Sequence, residues 1–285
     1  MNIACPAKIN VTLEVLNRRE DGYHSLRSVF VPLAHADELT IVPAEEFSFA
    51  CNDDSLANDD NLVVRAARAV DSHPKLAITL DKRIPSQAGL GGGSSDAAGV
   101  LRAAMHGAFG NADGRDWVAI ARALGSDVPF FLVESAALVE GTGERVTALG
   151  KIPSWHVLVV KPPASVSTAA AYAEIDRHPR PSRSRNDSVS IRALTALQRG
   201  DFATVESLLS NDFHDVIASS TPEVANAIDA LRRAGARSAT LSGSGSAVFT
   251  LAPDARTIAA IDERLDLDER YVRIPTSFAT SDVWQ

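Results

Sequence analysis

One segment constrains this chain more than any other: Pro85-Ser86-Gln87-Ala88-Gly89-Leu90-Gly91-Gly92-Gly93-Ser94-Ser95-Asp96-Ala97-Ala98. Four glycines in five positions cost backbone entropy, so a folded chain keeps them only where backbone geometry requires them. Glycine lets main-chain N–H groups converge and lets a bulky ligand approach the backbone. Alternating residues over 76–80 predict a strand before the loop, and an Ala-rich helix is expected over 95–106 after it. A loop that feeds a helix N-terminus offers free N–H donors and a partial positive charge, a natural seat for phosphate. A flexible linker does not fit, because strand and helix bound the segment closely. A Walker A loop needs Gly-Lys followed by Ser or Thr, and no Lys lies here. A dinucleotide fingerprint wants Gly where Ser94 stands, and its first Gly directly after a strand, whereas 82–88 intervenes.

The rest of the sequence sets the frame for that loop. At 285 residues the chain is long enough for two domains or one large one. Lys and Arg number 28 against 36 Asp and Glu, a formal charge of −8. A nucleic-acid clamp carries the opposite balance, so no nucleic-acid partner is expected, while a local basic pocket for a small anion stays open. Cys5 and Cys51 are too few for a disulfide framework and fit a reducing cytoplasm. No leader-like start and no run of 18 apolar residues is present, so neither export nor a membrane partner is expected.

Along the chain, Ile9-Asn10-Val11-Thr12-Leu13-Glu14-Val15 alternates as a half-buried strand does. Two further apolar runs, 29–33 and 38–42, are separated by the polar break His35-Ala36-Asp37. Asn58 to Asn61 offer N-caps for a helix beginning near Leu62, and 117–124 predicts another, closed by Gly125. In the second half, strands are expected at 156–161, 237–241, 247–251 and 271–274, and helices at 191–197, 202–209, 222–233 and 255–265. That order is the split βαβ of a ferredoxin-like layer. Residues 176–186, rich in Pro, Ser and Arg, predict an exposed loop or flap. The boundary between halves falls near 150–154, and the mixture of strands and helices favours α+β.

Residues 85–98 resemble the ATP-binding motif of the GHMP kinases, small-molecule kinases acting on galactose, homoserine, mevalonate and phosphomevalonate. Pro6-Ala7-Lys8-Ile9-Asn10 near the start and Leu241-Ser242-Gly243-Ser244-Gly245-Ser246-Ala247-Val248-Phe249 near the end match two further superfamily motifs in the proper order. Asp21-Gly22-Tyr23-His24 and Gly125-Ser126-Asp127-Val128-Pro129-Phe130-Phe131 narrow the resemblance to the 4-diphosphocytidyl-2-C-methyl-D-erythritol kinases of the non-mevalonate isoprenoid route, over essentially the whole chain. The resemblance implies a two-domain α+β fold: an N-terminal α/β domain (1–152) with a ribosomal-protein-S5-like topology and a C-terminal ferredoxin-like domain (153–285).

It also implies roles. Asp127 corresponds to the catalytic aspartate and Lys8 to its partner lysine, a carboxylate that accepts the hydroxyl proton beside a cation that holds the hydroxyl. ATP, with Mg²⁺, would lie on Pro85, Gly89, Leu90, Gly91, Gly92, Gly93, Ser94 and Ser95. Ser95, and more weakly Glu144, are candidate magnesium ligands, but no metal site is assigned. The substrate carries a cytidine diphosphate: Tyr23 and His24 match the cytidine site, with His24 expected to hydrogen-bond the cytosine edge, and Tyr172 aligns with an aromatic that stacks on the other face of the base. Asn10, Gly243 and Ser244 would line the remaining substrate site. Cys5 packs as a small hydrophobe. The rival readings are a sister kinase for homoserine or mevalonate, which has no cytosine to stack, and a non-catalytic nucleotide-binding protein, against which Lys8 and Asp127 speak. Monomer and homodimer are both compatible with the sequence.

Overall fold

The computed structural model describes residues 1–110, 114–177 and 184–284. The first half runs β1 (Asn2–Arg18), β2 (His24–Pro43), β3 (Ser48–Cys51), α1 (Leu62–Val70), β4 (Leu76–Asp81), α2 (Gly92–Met105), α3 (Trp117–Leu124), β5 (Ala136–Gly141) and β6 (Arg145–Gly150). The second half runs β7 (His156–Lys161), α4 (Thr168–Asp176), α5 (Val189–Arg199), α6 (Phe202–Leu208), β8 (Ser210–Asn211), α7 (His214–Ser220), α8 (Pro222–Arg233), β9 (Thr240–Leu241), β10 (Val248–Ala252), α9 (Ala255–Glu263) and β11 (Val272–Ser277).

Among the described residues the strands form two sheets. The larger has the order β3-β4-β2-β1-β8, with β5 on β2 and β6 on β5. The smaller, antiparallel throughout, has the order β11-β7-β10-β9, the ferredoxin-like arrangement expected from the sequence. Helices α1 and α2 cover Leu39, Ile41 and Ile78 of the first sheet; α8 buries Val224, Ile228 and Leu231 against Leu158 and Val248 of the second. A third apolar cluster joins the sheets, with Ile9, Val11 and Val31 meeting Val159, Phe249 and Leu251. Each such buried side chain contributes about 1.5–3 kcal/mol, and this cluster fixes the placement of one half on the other.

Two strand expectations change. The alternation in β1 predicts one solvated face, yet Lys8, Asn10, Thr12 and Glu14 are all buried. Their partners are internal: Thr12 Oγ1 donates to Ser190 Oγ at 2.9 Å, and Ser190 N donates to Glu14 Oε2 at 3.2 Å, so the N-terminal turn of α5 covers the polar face. Buried polar groups persist only with such partners. The break expected at His35–Asp37 is likewise absent, and the runs 29–33 and 38–42 belong to one strand. One edge of β2 is shared, Leu26 to Phe30 pairing with β5 and Glu38 to Pro43 with β4. Asp37 falls at the changeover and turns inward.

Helix α2 starts at Gly92, earlier than expected, because Gly91 takes a left-handed conformation (φ +72°) and turns the loop into the helix. Strand β9 shrinks to Thr240–Leu241. Helix α4, capped by the Ser167 hydroxyl, continues to Asp176, so that end of the expected 176–186 loop is helical; residues 178–183 lie outside the described residues.

Candidate active site

Strand β1 carries Lys8 and Asn10 two residues apart, on one face. The Lys8 ammonium donates to Asn10 Oδ1 at 2.8 Å, lies 3.5 Å from Asp127 Oδ2 and sits 4.8 Å above the Phe30 ring. Its side chain is 3% exposed, that of Asp127 31%. Burial draws the Lys8 ammonium below its ordinary pKa, and Asp127 opposes that pull. Asp127 precedes a short 3₁₀ turn, Val128–Leu132, in which buried Phe130 and Phe131 anchor the backbone that presents the carboxylate. Asn10 uses both ends of its amide: Nδ2 donates to Ser28 Oγ at 2.9 Å, and Oδ1 accepts from Gly243 N at 2.7 Å as well as from Lys8.

Two glycine loops press together over this pair. Lys8 N donates to Leu90 O at 2.8 Å, Ala247 N to Ala88 O at 3.0 Å and Ser242 Oγ to Gly89 O at 2.9 Å. A Cβ on Gly89 (φ +75°) would lie 2.1 Å from Ser242 O, so no other residue fits there. Asn211 Nδ2 ties the second loop down through Leu241 O and Gly243 O, at 2.9 and 2.8 Å.

Two cavities open on either side of the first loop and share Gly89 and Gly91. The smaller, about 380 Å³, is lined by Leu56, Asn61, Leu62, Lys82, Pro85 and the loop from Gly89 to Ser94. Of the expected ATP residues only Ser95 does not line it; Ser95 is fully buried, with a hydroxyl that finds no partner. The larger cavity, about 610 Å³, gathers Lys8, Asn10, Tyr23, His24, Asp127, Tyr172, Gly243 and Ser244, all of them singled out by sequence. The Tyr172 ring lies parallel to that of His24, centroids 5.0 Å apart, and edge-on to Phe213 at 4.9 Å. Burial lifts the Tyr172 hydroxyl to about 12, so it remains neutral at working pH. Tyr23 is largely exposed at the rim. Glu144, far from the loop in chain order, is taken up by its own turn, accepting from Thr142 N at 2.6 Å and Thr142 Oγ1 at 2.9 Å. Among the described residues no group of three or more His, Cys, Asp or Glu side chains is placed to hold a metal ion.

Sequence reading missed a buried triad beneath the first loop. Lys82 donates to Asp37 and, at 2.8 Å, to Asp96 in the first turns of α2; Asp37 also accepts from Arg83 N and Ile84 N at 2.6 and 2.7 Å. Asp37 and Asp96 are almost wholly buried. An acidic residue among the inward alanines of α2 was the available signal. Burial, reinforced by Asp37 and resisted by Lys82, pushes the Asp96 carboxyl from 3.8 up to about 8. Between those values the folded chain holds a proton that the unfolded chain has released, so this group makes stability fall as pH rises through the window. Asp96→Asn, an amide that keeps the hydrogen bond from Lys82, is expected to flatten the loss of stability between pH 5 and 8, measured by urea unfolding at a series of pH values. A variant that keeps the wild-type slope would refute the assignment.

Comparison with known proteins agrees with this geometry. Residues 61–135 match the family GHMP kinases N terminal domain and residues 193–267 match GHMP kinases C terminal. The fold is that of a GHMP kinase, a small-molecule phosphotransferase. A homoserine kinase from Cytophaga hutchinsonii shares the fold, with a TM-score of 0.66 at 15% identity over 97% of this chain and 94% of that one. More specific are the 4-diphosphocytidyl-2-C-methyl-D-erythritol kinases of Chlorobium luteolum, 39% identical over 95% of this chain and 93% of that one, and of Symbiobacterium thermophilum, 40% identical over 93% and 95%. A crystal structure of 4-(cytidine 5'-diphospho)-2C-methyl-D-erythritol kinase superposes with a TM-score of 0.80 at 35% identity, over 98% of this chain and all of that one. This chain belongs to the 4-diphosphocytidyl-2-C-methyl-D-erythritol kinase family. Among the described residues no helix is long and apolar enough to cross a membrane.

Proposed function

We propose that the chain moves the γ-phosphoryl group of ATP to the 2-hydroxyl of 4-diphosphocytidyl-2-C-methyl-D-erythritol, giving the 2-phosphate and ADP. One observation carries this reading: the Lys8–Asp127 pair lines the larger cavity, which shares Gly89 and Gly91 with the nucleotide-sized one. Phosphoryl transfer asks chiefly for positioning and charge neutralisation, and the site is built for both. The adenine would enter the smaller cavity beside Leu56, Asn61 and Leu62, and the triphosphate would lie along Gly89 to Ser94. Cβ atoms on Gly89, Gly91 and Gly92 would run into Ser242, Phe131 and Lys82, so glycine keeps the loop close-packed, and the free N–H groups at the start of α2 suit an anion. Asp127 accepts the proton of the attacking hydroxyl, and Lys8 holds the hydroxyl oxygen in line. Asn10 fixes Lys8 through its Oδ1 at 2.8 Å.

Magnesium stays part of the proposal without an assigned ligand: the Ser95 hydroxyl at the start of α2 finds no partner, but it is fully buried and lines neither cavity. When bound, that ion would offset the charge of the triphosphate. In the larger cavity His24 and Tyr172 suit a cytosine base, and the sister-kinase reading gives them no work, since neither homoserine nor mevalonate has a ring to stack. The free thiols Cys5 and Cys51 fit the cytoplasm, and the division at 152/153 into two domains stays part of the proposal, as does assembly as a monomer or homodimer.

An ATP-consumption assay with 4-diphosphocytidyl-2-C-methyl-D-erythritol, run beside homoserine and mevalonate, tests the reading; turnover on either control alone would overturn it. Base stacking and edge contacts contribute about 1–3 kcal/mol per base. His24→Ala is therefore expected to raise KM for the cytidine substrate roughly tenfold to a hundredfold and to leave KM for ATP unchanged.

A further inference from the structure

We infer that Asp176 is a positioning residue that sets the tautomer of His24 and, through it, the preference of the larger cavity for cytosine over uracil. The inference rests on the cytidine reading of that cavity. Residues 168, 172 and 176 recur at four-residue spacing and share one face of α4. All three line the cavity: Thr168 Oγ1 meets Ser244 Oγ at 2.8 Å, Tyr172 stacks on the His24 ring at 5.0 Å and 14°, and Asp176 Oδ1 lies 2.7 Å from His24 Nε2. One helix thus holds the imidazole by its face and by one nitrogen.

That arrangement decides what His24 can read. Tyr172 already lies in stacking contact with the ring, so no base fits between the two, and His24 is left to act through its edge. A carboxylate only accepts, so the bond to Asp176 places the proton on Nε2. In the neutral imidazole Nδ1 is then an acceptor, and among the described residues it has no partner. Cytosine presents an amino donor at C4, whereas uracil presents a carbonyl oxygen there. An Nδ1 lone pair accepts from the first and repels the second. Asp176 itself is held from outside by Arg18, whose Nη1 lies 3.8 Å from Oδ2. No sequence motif signals this residue, because its partner is 152 positions away.

The test combines a spectroscopic and a binding measurement on the full-length enzyme. ¹⁵N-histidine correlation spectra are expected to show His24 protonated at Nε2 in the wild type. Calorimetry with CDP and UDP as probes is expected to show CDP preferred, and Asp176→Asn, which can donate as well as accept, is expected to cut that preference about tenfold. KM for ATP should not move, and Asp176→Glu should recover part of the preference. A wild-type His24 protonated at Nδ1, or an unchanged CDP-to-UDP ratio in folded Asp176→Asn, would overturn the inference. His24→Ala separates the two levels. If it leaves CDP affinity intact, the cytidine reading itself fails; if it weakens CDP while Asp176→Asn keeps the ratio, only the role of Asp176 fails.

Discussion

Asp127→Asn is expected to lower kcat by roughly 10²–10⁴-fold, the range a positioned general base supplies, with nucleotide affinity near that of the wild type. The amide keeps the size of the carboxylate but cannot take the proton of the attacking hydroxyl. Lys8 would lose its charged neighbour at 3.5 Å yet keep Asn10 at 2.8 Å and the Phe30 face at 4.8 Å, so the backbone around Leu90 has no reason to move. ATP would lie on the far side of the Gly89–Gly91 wall, in the cavity that Asp127 does not line. Because the lost interaction belongs to the reacting hydroxyl, kcat and kcat/KM should fall together. Single-turnover kinetics beside nucleotide calorimetry read the two effects separately. Near-normal turnover would remove Asp127 as the base, and lost nucleotide binding would show that its role is structural.

The parts of this site legible in the sequence are those in which function fixes local backbone chemistry. Gly89 must be glycine because a carbonyl oxygen of the other loop occupies the space of its Cβ, and such a demand leaves a mark at the residue itself. Lys8, Asn10, His24 and Asp127 were legible only as members of motifs, since a lysine on a strand and an aspartate before Val-Pro have ordinary uses elsewhere. Alternation in β1 showed the strand correctly but misplaced its environment, because the period-2 signal separates the faces without saying what covers the polar one. What covers it is the start of α5, more than 170 residues away. The polar break at His35–Asp37 misled for the same reason. Asp37 reads as a turn residue until Lys82 and the N–H groups of Arg83 and Ile84 are placed against it. Strand β8 is two residues long and carries no periodicity to detect.

Lys82→Met tests the strongest of these unseen interactions. The substitution keeps most of the side-chain volume and removes the cation shared by Asp37, wholly buried, and Asp96, 2% exposed. Breaking a buried ion pair by removing one partner costs about 3–5 kcal/mol, because the charge left behind has given up water and gained nothing. Asp37 would keep its two backbone donors, but the carboxyls of Asp37 and Asp96 would then face each other without a positive group between them. Although burial pulls the other way, Asp96 and Asp37 raise the Lys82 ammonium above its ordinary pKa, so the cation stays charged across the physiological range, and its removal there leaves Asp37 buried beside the Asp96 carboxyl without a counter-charge. Urea unfolding at pH 7 is expected to show the full loss. Adding Asp96→Asn to Lys82→Met should return part of it, since residues that share one network couple rather than add. A Lys82→Met protein within about 1 kcal/mol of wild type would mean that the two carboxyls accommodate each other with a single proton, and the hold on the segment beneath the first glycine loop would then lie in Asp37 and its backbone donors alone.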